Sequence, residues 1–367
     1  MLFIVWFLLL NILNPLSLKF LFDKTSYELP KNISLSYRHV TVPWLNFDGR
    51  NYLEIATNGY NPNFRIELRV FFPLYPLLIR LFSFNLLLNP ILTGLIISFL
   101  AFLGSMFVFN KLLQEEGIKE SERRKTILLL LLFPTSFYFL AFYTESVFLL
   151  LSLLVFYFLN KKNLLFASIF TALASSTRIT GLALLPVIFW EGFQEYKKSK
   201  KFPPITIIAP LGFIVYGLYL QLATGDGLAI ILKQKNWDRP MGIFGPIIAL
   251  REGFSKFLFA SPMTRGDFFG HSMEVMEFIF AIFYIFFLID SFKKIKFSYW
   301  LFIFFTALPI FFSGALSSIQ RYMIVLFPMY VYLVKKINKK YFFIVCLLFF
   351  ILLVYFTSLF LRGYWVA

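Results

Sequence analysis

Apolar residues run through this chain in blocks that recur from end to end, parted by short polar connections and by two longer ones. Several blocks approach the roughly 20 residues that cross a hydrocarbon core, so the pattern predicts a bundle of transmembrane α-helices. Eleven crossings are expected. Six run over Leu2–Phe22, Leu88–Leu113, Ile127–Phe142, Glu145–Asn160, Leu164–Thr177 and Gly181–Gln194. Five more run over Pro204–Leu220, Met273–Asp290, Tyr299–Phe312, Met323–Val334 and Tyr341–Leu361. Residues 23–87 and 223–272 are left as two long external loops of a single membrane-embedded, all-α domain. No internal repeat or heptad run is visible.

One apolar block is ambiguous, and the charges decide how to place it. Phe71–Phe84 holds Pro73 and Pro76 and is short for a span. If it lies in the interface, the basic loops Lys111–Lys125, Lys161–Lys162, Lys197–Lys201, Lys293–Lys296 and Lys335–Lys340 share one side of the membrane. Those loops carry 18 of the 35 lysines and arginines, and by the positive-inside rule their side is the cytoplasm. The interfacial placement is therefore preferred. Met1–Phe22 lacks a basic start and a small-residue cleavage site, which favours an uncleaved anchor over a signal peptide.

Composition agrees with the pattern and removes one function class. The chain is 59% hydrophobic and 15% charged, more apolar than a water-soluble core needs. A net charge of +16 invites a nucleic-acid reading, but the basic residues sit in short clusters between spans, not in one patch. Cys346 is the single cysteine, so an intramolecular disulfide is impossible.

Chemistry concentrates in the first loop, from Trp44 to Pro76. Asp48 precedes a helix-length stretch, Gly49–Asn58, which Gly59 follows, the arrangement of an N-cap acid and a C-terminal glycine. Asp48, Tyr52, Ile55 and Ala56 fall on one face of that helix. Capping and a catalytic role are both compatible with this. Glu145, flanked by Thr144 and Ser146, has the position of an acid at a helix N-terminus. Arg178 in SSTRITG and Arg321 in SSIQRY occupy external turns with no acid nearby in sequence. An anionic ligand or snorkelling to lipid phosphates would each accommodate them. In the second loop, Trp237, Asp238, Arg239, Asp267 and His271 mark an acceptor region by position; Asp238 and Asp267 are rival bases. A lone histidine with scattered acids is poor support for a metal site, and none is expected.

FDGRNYLEIATNGY, FFPLYPLL, FPTSFYFLAFYTESVFLLLSLL, TRITGLALL and SIQRYMIVLFPMY, in that order, resemble the PIG-V family of mannosyltransferases and its prokaryotic relatives, within the GT-C class of polytopic glycosyltransferases. The likeness covers about Trp44 to Tyr330. The family's usual Trp-Asp pair is Phe47-Asp48 here, with Trp44 four residues before the acid. The resemblance implies a GT-C-like bundle and an inverting transfer of a hexose, typically mannose. The donor would be a polyprenyl phosphate sugar, the acceptor an unspecified glycan or lipid, and the site would lie on the non-cytoplasmic face. It implies Asp48 as general base, with Arg178 and Arg321 on the donor phosphate. Tyr52, Tyr60, Glu145, Gln320 and Tyr322 would contact substrate, and no cofactor, metal or nucleic acid is called for. A polytopic transporter or flippase, or a non-catalytic GT-C-like assembly subunit, is the competing expectation.

Overall fold

The computed structural model describes residues 2–24, 38–60, 65–201, 203–233, 242–259 and 268–366. Among them the chain is helical, with no strand. Along the first half run α1 (Leu2–Ser17), α2 (Arg38–Thr41), α3 (Asp48–Asn58), α4 (Leu74–Phe82), α5 (Pro90–Glu115), α6 (Glu120–Leu132) and α7 (Glu145–Asn160). Next come α8 (Leu164–Ser175), α9 (Leu185–Ser199), α10 (Leu211–Thr224), α11 (Ala229–Leu232) and α12 (Gly245–Phe259). The set ends with α13 (Phe268–Ser291), α14 (Phe297–Phe311), α15 (Ile319–Met323), α16 (Phe327–Lys336) and α17 (Lys339–Leu361).

Four segments are long and apolar enough to cross a membrane: Pro90–Glu115, Pro204–Thr224, Ser272–Ser291 and Lys339–Leu361. Leu2–Ser17, Glu145–Asn160, Leu164–Ser175 and Phe297–Phe311 are shorter apolar helices. The exposed side chains of α17 include Phe343, Ile344, Leu347 and Ile351, a surface suited to hydrocarbon and not to water. The chain is thus a helical membrane protein. With nine residues, α4 rises only about 13 Å, less than half of the hydrocarbon thickness.

Four expected spans are interrupted, each at a proline; one of them, Pro204–Leu220, divides into a 3₁₀ turn, Pro204–Ile208, and α10, with Pro210 just before the helix. The expected Ile127–Phe142 span is replaced by α6, which starts at Glu120 and stops at Leu132, and by a 3₁₀ turn over Ser136–Phe139. Pro134 forces this: the residue before a proline is pushed out of the helical region, and Phe133 is extended at ψ 135°. Gly181–Gln194 divides into a 3₁₀ turn, Ile179–Leu184, and α9, with Pro186 in the first turn of α9. Met323–Val334 likewise divides into α15 and α16, with Pro328 opening the second helix.

At the centre lies α7, packed between α5 and α8. Ten of its sixteen residues are buried, the pattern of a helix that is apolar on nearly all sides. Its two ends are chemically different. At Asn160 the basic loops meet: Lys161 pairs with Glu115 at 2.6 Å, and Lys296 with Glu116 at 2.7 Å and with Asn160 at 3.2 Å. Asp290 in turn holds Lys294 at 2.7 Å and also binds Lys336. At Glu145, about 24 Å away along the helix, stands the charge cluster described next.

Candidate active site

The approach to Asp48 is fixed by partners remote in sequence. A 3₁₀ turn, Val42–Leu45, carries Trp44, whose carbonyl accepts from the Phe142 N–H at 3.0 Å. The Asn46 side-chain amide donates to the Phe360 carbonyl at 2.6 Å. Phe47 then turns with φ 60° and ψ −116°, a conformation that costs a non-glycine residue on the order of 1–3 kcal/mol. Tyr143 spans that residue. Its hydroxyl donates to the Asn46 carbonyl at 2.7 Å and accepts from the Asp48 N–H at 3.1 Å. The Phe47 ring is held against Trp365, 5.0 Å between centroids.

Asp48 is the first residue of α3 and does not cap it; Phe47 holds the cap position and no side chain makes a cap bond. The expectation of an N-cap acid is corrected here. A stronger partner takes the carboxylate: Arg321 Nη1 donates to Asp48 Oδ2 at 2.7 Å. Both partners of that bond are ionised, whereas a cap bond to a backbone N–H is charged on one side only. The expectations for the end and the face of the helix are met, because Gly59 closes it at φ 71° and Tyr52, Ile55 and Ala56 are buried.

Glu145 opens α7 and is completely buried. Its Oε1 accepts from Arg321 Nε at 2.7 Å and from Arg178 Nη1 at 2.8 Å. The four charges therefore form one chain, Asp48–Arg321–Glu145–Arg178, with two of each sign. The turn carrying Arg321 has Ser318 at φ 69°, while Arg178 is extended between α8 and the following 3₁₀ turn. Aromatic faces complete the shell. The Arg321 guanidinium lies 5.0 Å from the Tyr143 ring and 5.5 Å from Tyr138; that of Arg178 lies 5.2 Å from Tyr322 and 5.7 Å from Phe148. Neither arginine snorkels to lipid. Each is buried and compensated by a carboxylate that lies far from it in sequence.

The remaining expected residues divide between this cluster and other places. Tyr52 packs against Tyr75, Phe71 and Tyr143. Burial, and after it the charges of Asp48 and Glu145, raise its proton affinity, so its hydroxyl stays a neutral hydrogen-bonding group. Tyr60 is not in the cluster; its hydroxyl donates to the Phe71 carbonyl at 2.7 Å and its ring meets Tyr216. Gln320 neighbours Arg321, but its side chain turns to the Val366 carbonyl at 2.8 Å, the role of a tether. Trp237, Asp238, Arg239 and Asp267 lie outside the described residues, as does the His271 side chain.

A cavity of about 490 Å³ opens between α4, α8 and α10, within the roughly 300–1,000 Å³ of small-molecule sites, and none of the four charged residues of the cluster lines it. Leu74, Leu77, Leu173, Val215 and Tyr219 make its walls largely apolar. Its lining includes Ile55, on the face of α3 that carries Tyr52, and Ser176, two residues before Arg178. Gly212 permits the close crossing of α10 on α8: a Cβ there would stand 1.8 Å from the Ala172 carbonyl oxygen. Among the described residues no group of three His, Cys, Asp or Glu could hold a metal.

Tyr143 is the member of this arrangement that sequence reasoning missed. It lies inside the FYTES block, but its role depends on a turn 95 residues away. Comparison with known proteins adds no relative: no family model, no curated protein and no solved structure matches this chain.

Proposed function

We propose that this protein is an inverting glycosyltransferase that moves a hexose, mannose by resemblance, from a polyprenyl phosphate donor to an acceptor hydroxyl. In this reading the reaction takes place on the membrane face opposite the basic loops, the non-cytoplasmic one. The observation that carries it is the convergence of Asp48, Glu145, Arg178 and Arg321, from four distant points of the sequence, into one bonded cluster at the far end of α7. The apolar cavity between α4, α8 and α10 adds a second support, since a substrate with a long hydrocarbon tail needs a lateral path from the bilayer.

In the proposed step the acceptor oxygen bonds to the anomeric carbon while its proton passes to the Asp48 carboxylate. The bond from that carbon to the phosphate oxygen breaks, and its electron pair leaves with the lipid phosphate. Attack opposite the leaving group inverts the centre. Proton transfer to a positioned base contributes about 10²- to 10⁴-fold. The guanidinium groups of Arg321 and Arg178 meet the charge growing on phosphate, and Glu145 holds both in place.

The test supplies purified protein with labelled polyprenyl phosphate mannose and a panel of acceptors, with Asp48→Asn in parallel. Label transfer by the wild type, lost in Asp48→Asn, is the expected result. Equal transfer by both proteins removes Asp48 as base, and movement of a solute across vesicles without transfer assigns the chain to transport.

A further inference from the structure

The cluster contains a conflict. Arg321 is wanted by the substrate phosphate, yet its Nη1 is bound to Asp48. Asp48 is wanted at the acceptor hydroxyl, yet its Oδ2 is occupied by that same guanidinium. With two arginines and two carboxylates the cluster has no net charge to offer an anion. A fixed arrangement would serve neither binding nor catalysis.

We infer that Arg321 exchanges partners, pairing with Asp48 when the site is empty and with the substrate phosphate when it is loaded, and that Glu145 is the positioning residue that makes the exchange possible. This deepens the reading above and rests on it for the identity of the anion as a lipid phosphate. Accessibility shows which bond yields. The Asp48 side chain is 15% exposed, against 9% for Arg321, 7% for Arg178 and none for Glu145, so an incoming anion meets the Asp48–Arg321 pair first. Donor geometry shows what remains. Arg321 uses separate nitrogens for its two acids, Nε for Glu145 and Nη1 for Asp48, so Nη1 can change partner while Nε stays anchored.

Glu145 also has acceptor capacity in reserve. Both arginines share its Oε1, while the buried Oε2 accepts no hydrogen bond from the described residues. A guanidinium that tilts away from Asp48 finds that oxygen next to the one it already holds. One exchange then does two things. The phosphate gains a cation, and Asp48 is released as a free carboxylate when its substrate arrives.

The experiment measures binding of farnesyl phosphate to the full-length protein in detergent, for wild type, Asp48→Asn, Glu145→Gln and the double variant Asp48→Asn/Arg321→Lys. Asp48→Asn and Glu145→Gln change the net charge equally, so charge alone would tighten both. Exchange predicts that Asp48→Asn binds about tenfold tighter, a difference near 1.4 kcal/mol. It predicts no gain for Glu145→Gln, in which Arg321 loses its charged anchor. The double variant keeps the added charge but replaces the two-sided fork by a single ammonium, and it loses the gain; this holds the inference open to refutation even if Glu145→Gln does not fold. Equal tightening in Asp48→Asn and Glu145→Gln, unchanged affinity in Asp48→Asn, or no binding by any variant overturns it. Sugar transfer assayed on the same preparations separates the two claims. Tighter binding in Asp48→Asn without transfer by the wild type keeps the exchange and removes the transferase, while transfer without tighter binding does the reverse.

Discussion

Both ends of α7 carry ion pairs and use them differently. At the Glu145 end the ion pairs are enclosed, and one carboxylate serves two guanidiniums. At the Asn160 end the lysines are about half exposed, Lys296 at 52% and Lys161 at 49%, and their ammonium groups sit on flexible stems. Water and salt screen the second set and hardly reach the first. One end is built so that removing the shared carboxylate is costly; the other tolerates loss. Exposure, not the number of pairs, separates a site from a surface.

The largest expected effect falls on chemistry. Asp48→Asn keeps the volume of the side chain and a weaker bond to Arg321 but cannot take a proton, so transfer should drop about 10²- to 10⁴-fold. The same variant should melt close to wild type, since Asp48 is the outermost member of the chain. Product formation from labelled donor measures the first and thermal denaturation in lipid or detergent the second. A large fall in melting temperature would move Asp48 from the reaction to the scaffold.

Stability should respond most to Glu145→Ala. That change leaves two buried guanidiniums without their shared carboxylate, and breaking a buried pair from one side costs about 3–5 kcal/mol. Glu145→Gln keeps an acceptor oxygen and should lose less. If Glu145→Ala melted like the wild type, the cluster would not be the enclosed unit described here.

Tyr143→Phe comes next. It removes the hydroxyl that bridges Phe47, leaving the Asn46 carbonyl and the Asp48 N–H without that partner, for about 1–3 kcal/mol. The ring against Arg321 stays, so a fall in transfer larger than the fall in stability would identify the backbone turn as what aims Asp48. Equal losses would make Tyr143 a packing residue only.

How much of this was legible in the sequence follows from how far each partner lies along the chain. Helices set by apolar run length were readable: Glu145–Asn160 appears with the expected limits, and α17 begins two residues before the expected Tyr341. Gly59 was readable because a local turn needs a positive φ. The break after Leu132 was available in principle, since Pro134 is a local signal, but the apolar run on both sides masked it. The counterions of Arg178 and Arg321 were not readable. They come from 33, 176 and 273 residues away, and nothing in a single sequence marks such pairs. The same distance explains why Asp48 reads as a cap: local rules assign a carboxylate to the nearest N–H, and tertiary packing brought an arginine instead.

The smallest expected effect lies at the other end of the helix and completes the contrast. Lys296 reaches Glu116 and Asn160, and Tyr299 also donates to Glu116, so this end is tied about as densely as the first. Yet Lys296→Ala should cost less than about 1 kcal/mol, because an exposed ammonium exchanges a protein oxygen for water with little loss, and Glu116 keeps the Tyr299 hydroxyl. Added salt should shrink even that difference. Melting curves of Lys296→Ala at low and high ionic strength measure it. A cost as large as that of Glu145→Ala, unaffected by salt, would mean that the Asn160 end is enclosed as well, and burial would no longer distinguish the two ends of α7.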